Sequence, residues 1–343
     1  MSLIAILFAL LLEQARPLPR GNVFHTGLRQ WAWWACRSFD AGRLSHAWAA
    51  WSLAVLGPVV LVLLMHLLLA HVLGLWAAVL WHVAVLYVTL GFRQFSHYFT
   101  AIRDALEAGD EDAARELLAS WRKVEVRDMS RSEIIRHVTE HSVLAAHRHV
   151  FGVLAWYTVS SALGLGPAGA VFYRMSELLP RYWPYKSLQQ SQPISTALMS
   201  MARKMWLIVD YVPARLTALC FAIVGSFEEA IDSWRTEAHW FANPNDGVIL
   251  AATAGALGLR LGGAELQPLA LPNEVPPDPV QPDQPATPSD DGHGRTSGPD
   301  TTDSRQGRVL QAAHLRSVVG LVWRTVVLWM LLLALLTLAR FLG

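Results

Sequence analysis

Two long apolar runs, residues 47–70 and 72–92, are separated by little more than His71. A helix needs about 20 apolar residues to cross the roughly 30 Å of a bilayer's hydrocarbon core, and each run is long enough. Inside lipid a backbone must satisfy its own hydrogen bonds, so the pair is predicted to be a transmembrane helical hairpin. Pro58 is placed to kink its first arm. A chain with 53% hydrophobic and only 16% charged residues is too apolar for an ordinary soluble enzyme. Its net charge of +1, without a polybasic run, argues against nucleic acid as a partner.

The remaining segments arrange themselves around that hairpin. Residues 2–12 are apolar but too few to cross, and Glu13 and Gln14 end them, so they are predicted to form an inserted anchor or half-helix. Arg16, Arg20, Arg29, Arg37 and Arg43 then mark a cytoplasmic side, with Trp31, Trp33 and Trp34 at headgroup level. Residues 93–149 have soluble character. A helical hairpin there is broken at Gly109 and Asp110, and Ser130 with Glu133 forms a capping-box signature for the next helix. Residues 150–175 are long enough to cross, but GLGPAG at 164–169 interrupts them and both flanks are basic. A re-entrant or interfacial pair of half-helices is expected. The run 205–227 is expected to behave similarly, because Asp210, Pro213 and Arg215 interrupt it. Residues 247–263 are rich in small residues suited to close helix contact. Half of the 18 prolines fall in 263–306 together with many acids, the composition of a disordered linker. Residues 317–342 form a last apolar helix, preceded by Arg308 and Arg316 and containing Arg324, which would snorkel or meet a partner charge.

The fold is therefore predicted to be all-α, a multi-pass integral membrane protein with embedded half-helices and a cytoplasmic helical layer. It divides into an anchor and hairpin (1–92), a helical layer with re-entrant or interfacial helices (93–263), a linker (264–310) and a C-terminal transmembrane helix (311–343). The lipid bilayer is its first partner, and the charge bias suits a bacterial cytoplasmic (inner) membrane.

Polar chemistry concentrates where residues 130–156 pass from charged helix to apolar sequence. His137, Glu140 and His141 spell H-x-x-E-H, with two imidazoles on one helix face and a carboxylate between them. His147 or His149 stands available as a third zinc ligand; the alternative is an exposed helix near headgroups. His66, His71 and His82 lie in or beside the hairpin and suit a proton path, a ligand site, or neutral imidazoles bonded to neighbouring helices. Cys36 and Cys220 are too few for a disulfide framework, and a buried thiol is the expectation for Cys220. Neither a G-x-x-x-x-G-K-[ST] phosphate loop nor a G-x-S-x-G elbow occurs.

Three stretches, LEAGDEDAARELLA (106–119), DYVPARLTAL (210–219) and NPNDG followed by AATAGALGLRLGG (243–263), resemble the adenosylcobinamide-phosphate synthase (CobD/CbiB) family of cobalamin biosynthesis. The opening LLLEQARPLP resembles the related AmpE membrane proteins. The resemblance implies ATP- and Mg²⁺-dependent amide formation between an aminopropanol-type amine and a corrin carboxylate. It also carries over Glu140, Asp210 and Asp246 as candidate acids, and Tyr173, Arg174, Arg215 and Asn245 as ligand-binding residues. Against the family pattern, acids or amides are replaced at Leu144, Ala145, Trp206 and Leu207, and the S-D-G triplet reads His147, Arg148, His149. A side chain without oxygen cannot ligate Mg²⁺. The leading expectation is thus a non-catalytic, AmpE-like binding or signalling protein with a corrinoid or cell-envelope ligand. Retained amide synthesis is the alternative, and the zinc site a third.

Overall fold

The computed structural model describes residues 2–16, 23–122, 129–262 and 311–342, and every element among them is helical. Three helices are long and apolar enough to cross a bilayer: α3 (Leu44–Val72), α10 (Thr196–Val224) and, over residues 312–339, α13 (Ala312–Leu342). Their outward faces show why they need lipid. Leu61, Leu64 and Leu68 on α3, Ile208 and Val212 on α10, and Val327, Leu331 and Leu335 on α13 are all exposed. In water such surfaces would drive aggregation.

Two expectations for the spans are corrected. The second arm of the hairpin, α4 (Leu75–Thr89), has 15 residues. At 1.5 Å per residue it measures about 22 Å, short of a full crossing. The region around 205–227 is not broken; it belongs to one 29-residue helix with Pro213 inside it. Its polar side chains are absorbed sideways. Asp210 turns into the protein and is fully buried, while the Arg215 guanidinium lies 3.4 Å over the Tyr211 ring.

Elsewhere the local signals act as expected. α8 (Gly152–Ala162) and α9 (Ala168–Gln190) are separated at GLGPAG, where Gly164 and Gly166 take φ of 76° and 58°, conformations open to glycine. Ser160 secures that corner, donating to the Gly166 carbonyl at 2.8 Å and accepting from the Gly169 N–H at 3.1 Å. α5 (Phe92–Glu107) and α6 (Glu111–Arg122) separate at Gly109, and α7 (Arg131–Ala146) begins with the full Ser130–Glu133 capping box. The small-residue helix α12 (Pro244–Leu257) is shorter than 247–263, stopping where Gly258 turns left-handed. It packs closely on α11 (Phe227–Glu237): a Cβ on Gly255 would stand 2.1 Å from the Glu229 carbonyl oxygen.

Two apolar cores hold the bundle. The larger joins α1 (Ser2–Ala15), α4 to α8, α10 and α12, and it includes Leu315, Val318, Leu321, Val322 and Val326 of α13. The last helix is thus part of the main core. The smaller core gathers α2 (Val23–Phe39), α3 and α9, where the buried Trp183 donates to the Ala32 carbonyl at 3.0 Å. The linker predicted over 264–310 lies outside the described residues.

Candidate functional site

α7 runs directly into a π-helix, His147–Phe151, and then into α8. A π-turn holds one residue more than an α-turn and changes which way successive side chains point. His147 points inward and is fully buried. Its Nε2 donates to Asp210 Oδ1 at 2.8 Å, and Nδ1 accepts from the Thr217 hydroxyl at 2.9 Å. Tyr173 donates its phenolic hydrogen to the same carboxylate oxygen at 2.8 Å. Gly152 makes room for it, since a Cβ there would lie 2.1 Å from the Tyr173 ring and hydroxyl. α7–α8, α9 and α10 are thereby tied through one buried carboxylate.

The next residue faces the other way. Arg148 reaches Asp246 at the start of α12, with N–H to Oδ2 at 2.6 Å; the side chains are 17% and 15% exposed. Burial works against the Arg148 charge, but the Asp246 carboxylate and its hydrogen bond outweigh it and hold the pKa above the usual arginine value. The pair forms one wall of a cleft of about 640 Å³, lined also by Arg122, Arg136, His137, Glu140, His141, Trp240 and Phe241.

Within the cleft, guanidinium groups face neutral imidazoles. His137 Nε2 lies 3.0 Å from Arg136, and His141 Nδ1 lies 2.6 Å from Arg122. Each imidazole accepts from the arginine, so each must be neutral. Burial, aided by Arg136 and Arg122, lowers the His137 pKa to about 4; burial, aided by Arg122, Arg148 and Arg181, lowers that of His141 to about 3. Glu140 accepts from the Gly262 N–H at 2.7 Å and lies 3.6 Å from Arg136.

The candidates carried from the sequence fall into four groups. Glu140, Asp246, His137 and His141 line the cleft. Tyr173 and Asp210 meet at the buried His147, which the sequence offered only as a zinc ligand. Arg215 and Asn245 bond to each other at 3.0 Å, and Asn245 also donates to the Leu207 carbonyl at 3.0 Å, a lock between α10 and α12. Arg174 bonds to Glu177 at 3.1 Å, and Arg181 contacts the same carboxylate. Arg122, Arg136 and Arg148 were not singled out as site residues. The Arg136–Glu140 spacing of four residues was a usable signal for one of them. In the membrane region, His82 is bonded to the Tyr157 hydroxyl at 2.8 Å, and its ring lies 4.8 Å from that of His66.

The donor set does not suit a divalent cation. Asp246 gives its Oδ2 to Arg148 and keeps a buried, unpartnered Oδ1, and Glu140 is held by Gly262 and Arg136, while the lone pairs that zinc would need on His137 and His141 face arginine hydrogens. Among the described residues, no three His, Cys, Asp or Glu side chains gather as metal ligands. Trp206 and Leu207, where the resemblance expects acids, instead serve packing. Trp206 packs against Tyr173 with ring centroids 5.4 Å apart and planes tilted by 54°, and Leu207 offers only its carbonyl, to Asn245.

Comparison with known proteins places this geometry in context. The family described as CobD/Cbib protein matches residues 3–282. A relative named cobalamin biosynthesis protein CobD, from Stutzerimonas stutzeri, is 30% identical over 294 residues, covering 85% of this chain and 82% of the relative. The protein of the same name from Chromobacterium violaceum is 34% identical over 181 residues, covering 53% of this chain and 55% of its own length. That from Mycobacterium tuberculosis is 30% identical over 182 residues, or 52% and 55%. No solved structure matches.

Proposed function

Because this chain belongs to the CobD/CbiB family, we propose that it works in cobalamin biosynthesis as an amide-forming ligase. It would join an amine to a corrin carboxylate at the cleft between α7 and α12, with ATP as co-substrate. This reverses the order of the two expectations drawn from the sequence, since the relatives bear cobalamin-biosynthesis names over most of the chain.

The observation that carries the reading is the pairing of carboxylates and guanidinium groups in one cleft: Glu140 and Asp246 with Arg122, Arg136 and Arg148. Amide formation needs an amine that has shed a proton, and an acid near the ammonium is the group to take it. It also needs the negative acyl and phosphoryl oxygens held in place, for which arginine forks are suited. Purified chain supplied with cobyric acid, an aminopropanol-type amine and ATP is expected to give an amide product detectable by mass spectrometry. Glu140→Gln is expected to slow its formation about 100-fold. An unchanged rate in that variant would remove Glu140 from the chemistry.

A second reading, a non-catalytic AmpE-like binding component, is favoured by one observation. Trp206 and Leu207 occupy positions where the family resemblance places acids. Under that reading the cleft binds its ligand and yields no product. Both readings place the chain in the cytoplasmic membrane with the basic segment 16–43 on its cytoplasmic side. Reporter fusions after residues 71 and 343 are accordingly expected to score outside the cytoplasm, and a cytoplasmic signal at either would refute that topology.

A further inference from the structure

A neutral imidazole has one ring lone pair to give. In the cleft, His137 gives its own to Arg136 and His141 to Arg122. His239 lines the same cleft and differs from both. Its side chain is exposed, and neither ring nitrogen takes part in a hydrogen bond among the described residues. Its carrier is rigid. The 3₁₀ turn Ala238–Trp240 follows α11 directly and is pressed onto α12, where a Cβ on Gly247 would stand 2.2 Å from the Ala238 carbonyl oxygen. Beside it lies a flat apolar wall made by Phe241 and by Trp240, which is 46% exposed. The His239 ring stands at 71° to the Trp240 indole, with centroids 5.8 Å apart. A flat macrocycle lying parallel to that indole would meet the imidazole nearly edge-on, the orientation that an axial ligand to a central metal needs.

We infer that His239 is the axial ligand to the cobalt of a corrin bound in the cleft, with the macrocycle lying against Trp240 and Phe241. This rests on the ligase reading, which brings a cobalt corrin to this cleft as substrate. Imidazole nitrogen is a common and well-matched ligand for late first-row transition metals, and aromatic faces hold flat rings by stacking. The exchange is simple. The ring nitrogen gives its lone pair to cobalt(III), one bound water leaves, and the oxidation state of the metal is unchanged. One bond at the centre of the ring then holds the corrin in place, while the carboxylate at its edge stays free to reach the arginines across the cleft. His239 is thus a positioning residue for the ligation and a determinant of metal-containing over metal-free corrins.

The test is absorption spectroscopy of aquated cobyric acid titrated into the full chain in detergent. The cobalt(III) corrin bands are expected to move on binding as nitrogen replaces water. His239→Ala is expected to lose that shift and to bind about tenfold more weakly, whereas His71→Ala, at the far end of α3, keeps both. His239 is exposed, so its variant is expected to unfold near the parent's midpoint. The metal-free corrin analogue is expected to bind parent and His239→Ala equally. Reduced to cobalt(II), the bound corrin is expected to give an electron paramagnetic resonance signal split into three lines by one axial nitrogen, and into two when the chain's histidines carry the heavier nitrogen isotope. Binding with an unchanged spectrum, a shift that survives His239→Ala, a splitting indifferent to the isotope, or no binding at all overturns the inference. The ligase reading fails separately. An axial-nitrogen signal without amide product sinks the ligase and keeps the corrin site, whereas amide product from a corrin whose cobalt keeps its water does the reverse.

Discussion

Gly152→Ala is expected to destabilise the protein by about 3 kcal/mol, read as a lowered unfolding midpoint in detergent. The added methyl would stand 2.1 Å from both the Tyr173 ring and its hydroxyl, far inside van der Waals contact. Tyr173 is fully buried and cannot swing into open space. Moving it breaks the 2.8 Å bond to Asp210, whose other carboxylate oxygen is buried without a partner. Overpacking alone costs about 1–3 kcal/mol, and stranding a buried polar group adds about 1–3 kcal/mol. Gly27→Ala is the control. Gly27 lies within α2 with nothing within 4 Å of an added Cβ, so alanine there is expected to stabilise by up to about 1 kcal/mol. Equal effects from the two substitutions would show that the Gly152–Tyr173–Asp210 contact bears no strain.

The second large effect is sensitivity to acid. His137 and His141 have pKa values lowered to about 4 and about 3, chiefly by burial and then by neighbouring arginines. An unfolded histidine titrates near 6.5, so between that value and the folded values the unfolded chain binds more protons than the folded one. Stability is complete above about pH 6.5 and falls as the pH drops toward 4. At pH 5 each histidine costs about 2 kcal/mol, about 4 kcal/mol for the two. The unfolding midpoint is expected to drop steeply from pH 7 to pH 5, and the His137→Gln/His141→Gln double variant to flatten that slope. A slope identical in parent and variant would show that these imidazoles charge freely and do not accept from Arg136 and Arg122.

Much of the scaffold was legible because its signals are local. GLGPAG breaks α8 from α9 through glycine conformations that other residues rarely adopt, and Ser130 with Glu133 opens α7 through bonds three residues apart. The 205–227 region was misread for a non-local reason. Asp210, Pro213 and Arg215 look disruptive in one dimension, but Asp210 is matched by His147 and Tyr173, which lie 63 and 37 residues away. Pairing at that separation leaves no periodicity to detect. The carboxylates of the cleft were found through family resemblance, which follows what is retained. Its arginines were missed because Arg148 meets Asp246 across 98 residues and Arg122 meets His141 across 19. The extent of the first core was also hidden, since no local pattern shows that α13 returns to pack against α1, α7 and α10.

A ligase of cobalamin biosynthesis must be able to supply the missing step in a living cell. Expressed in a bacterium that lacks its own cobinamide-forming synthase and is fed cobyric acid, the unmutated chain is expected to restore cobalamin-dependent growth, and Glu140→Gln to abolish the rescue. A chain that reaches the membrane in normal amount yet leaves growth unrestored would contradict the ligase assignment and leave the cleft a binding site alone.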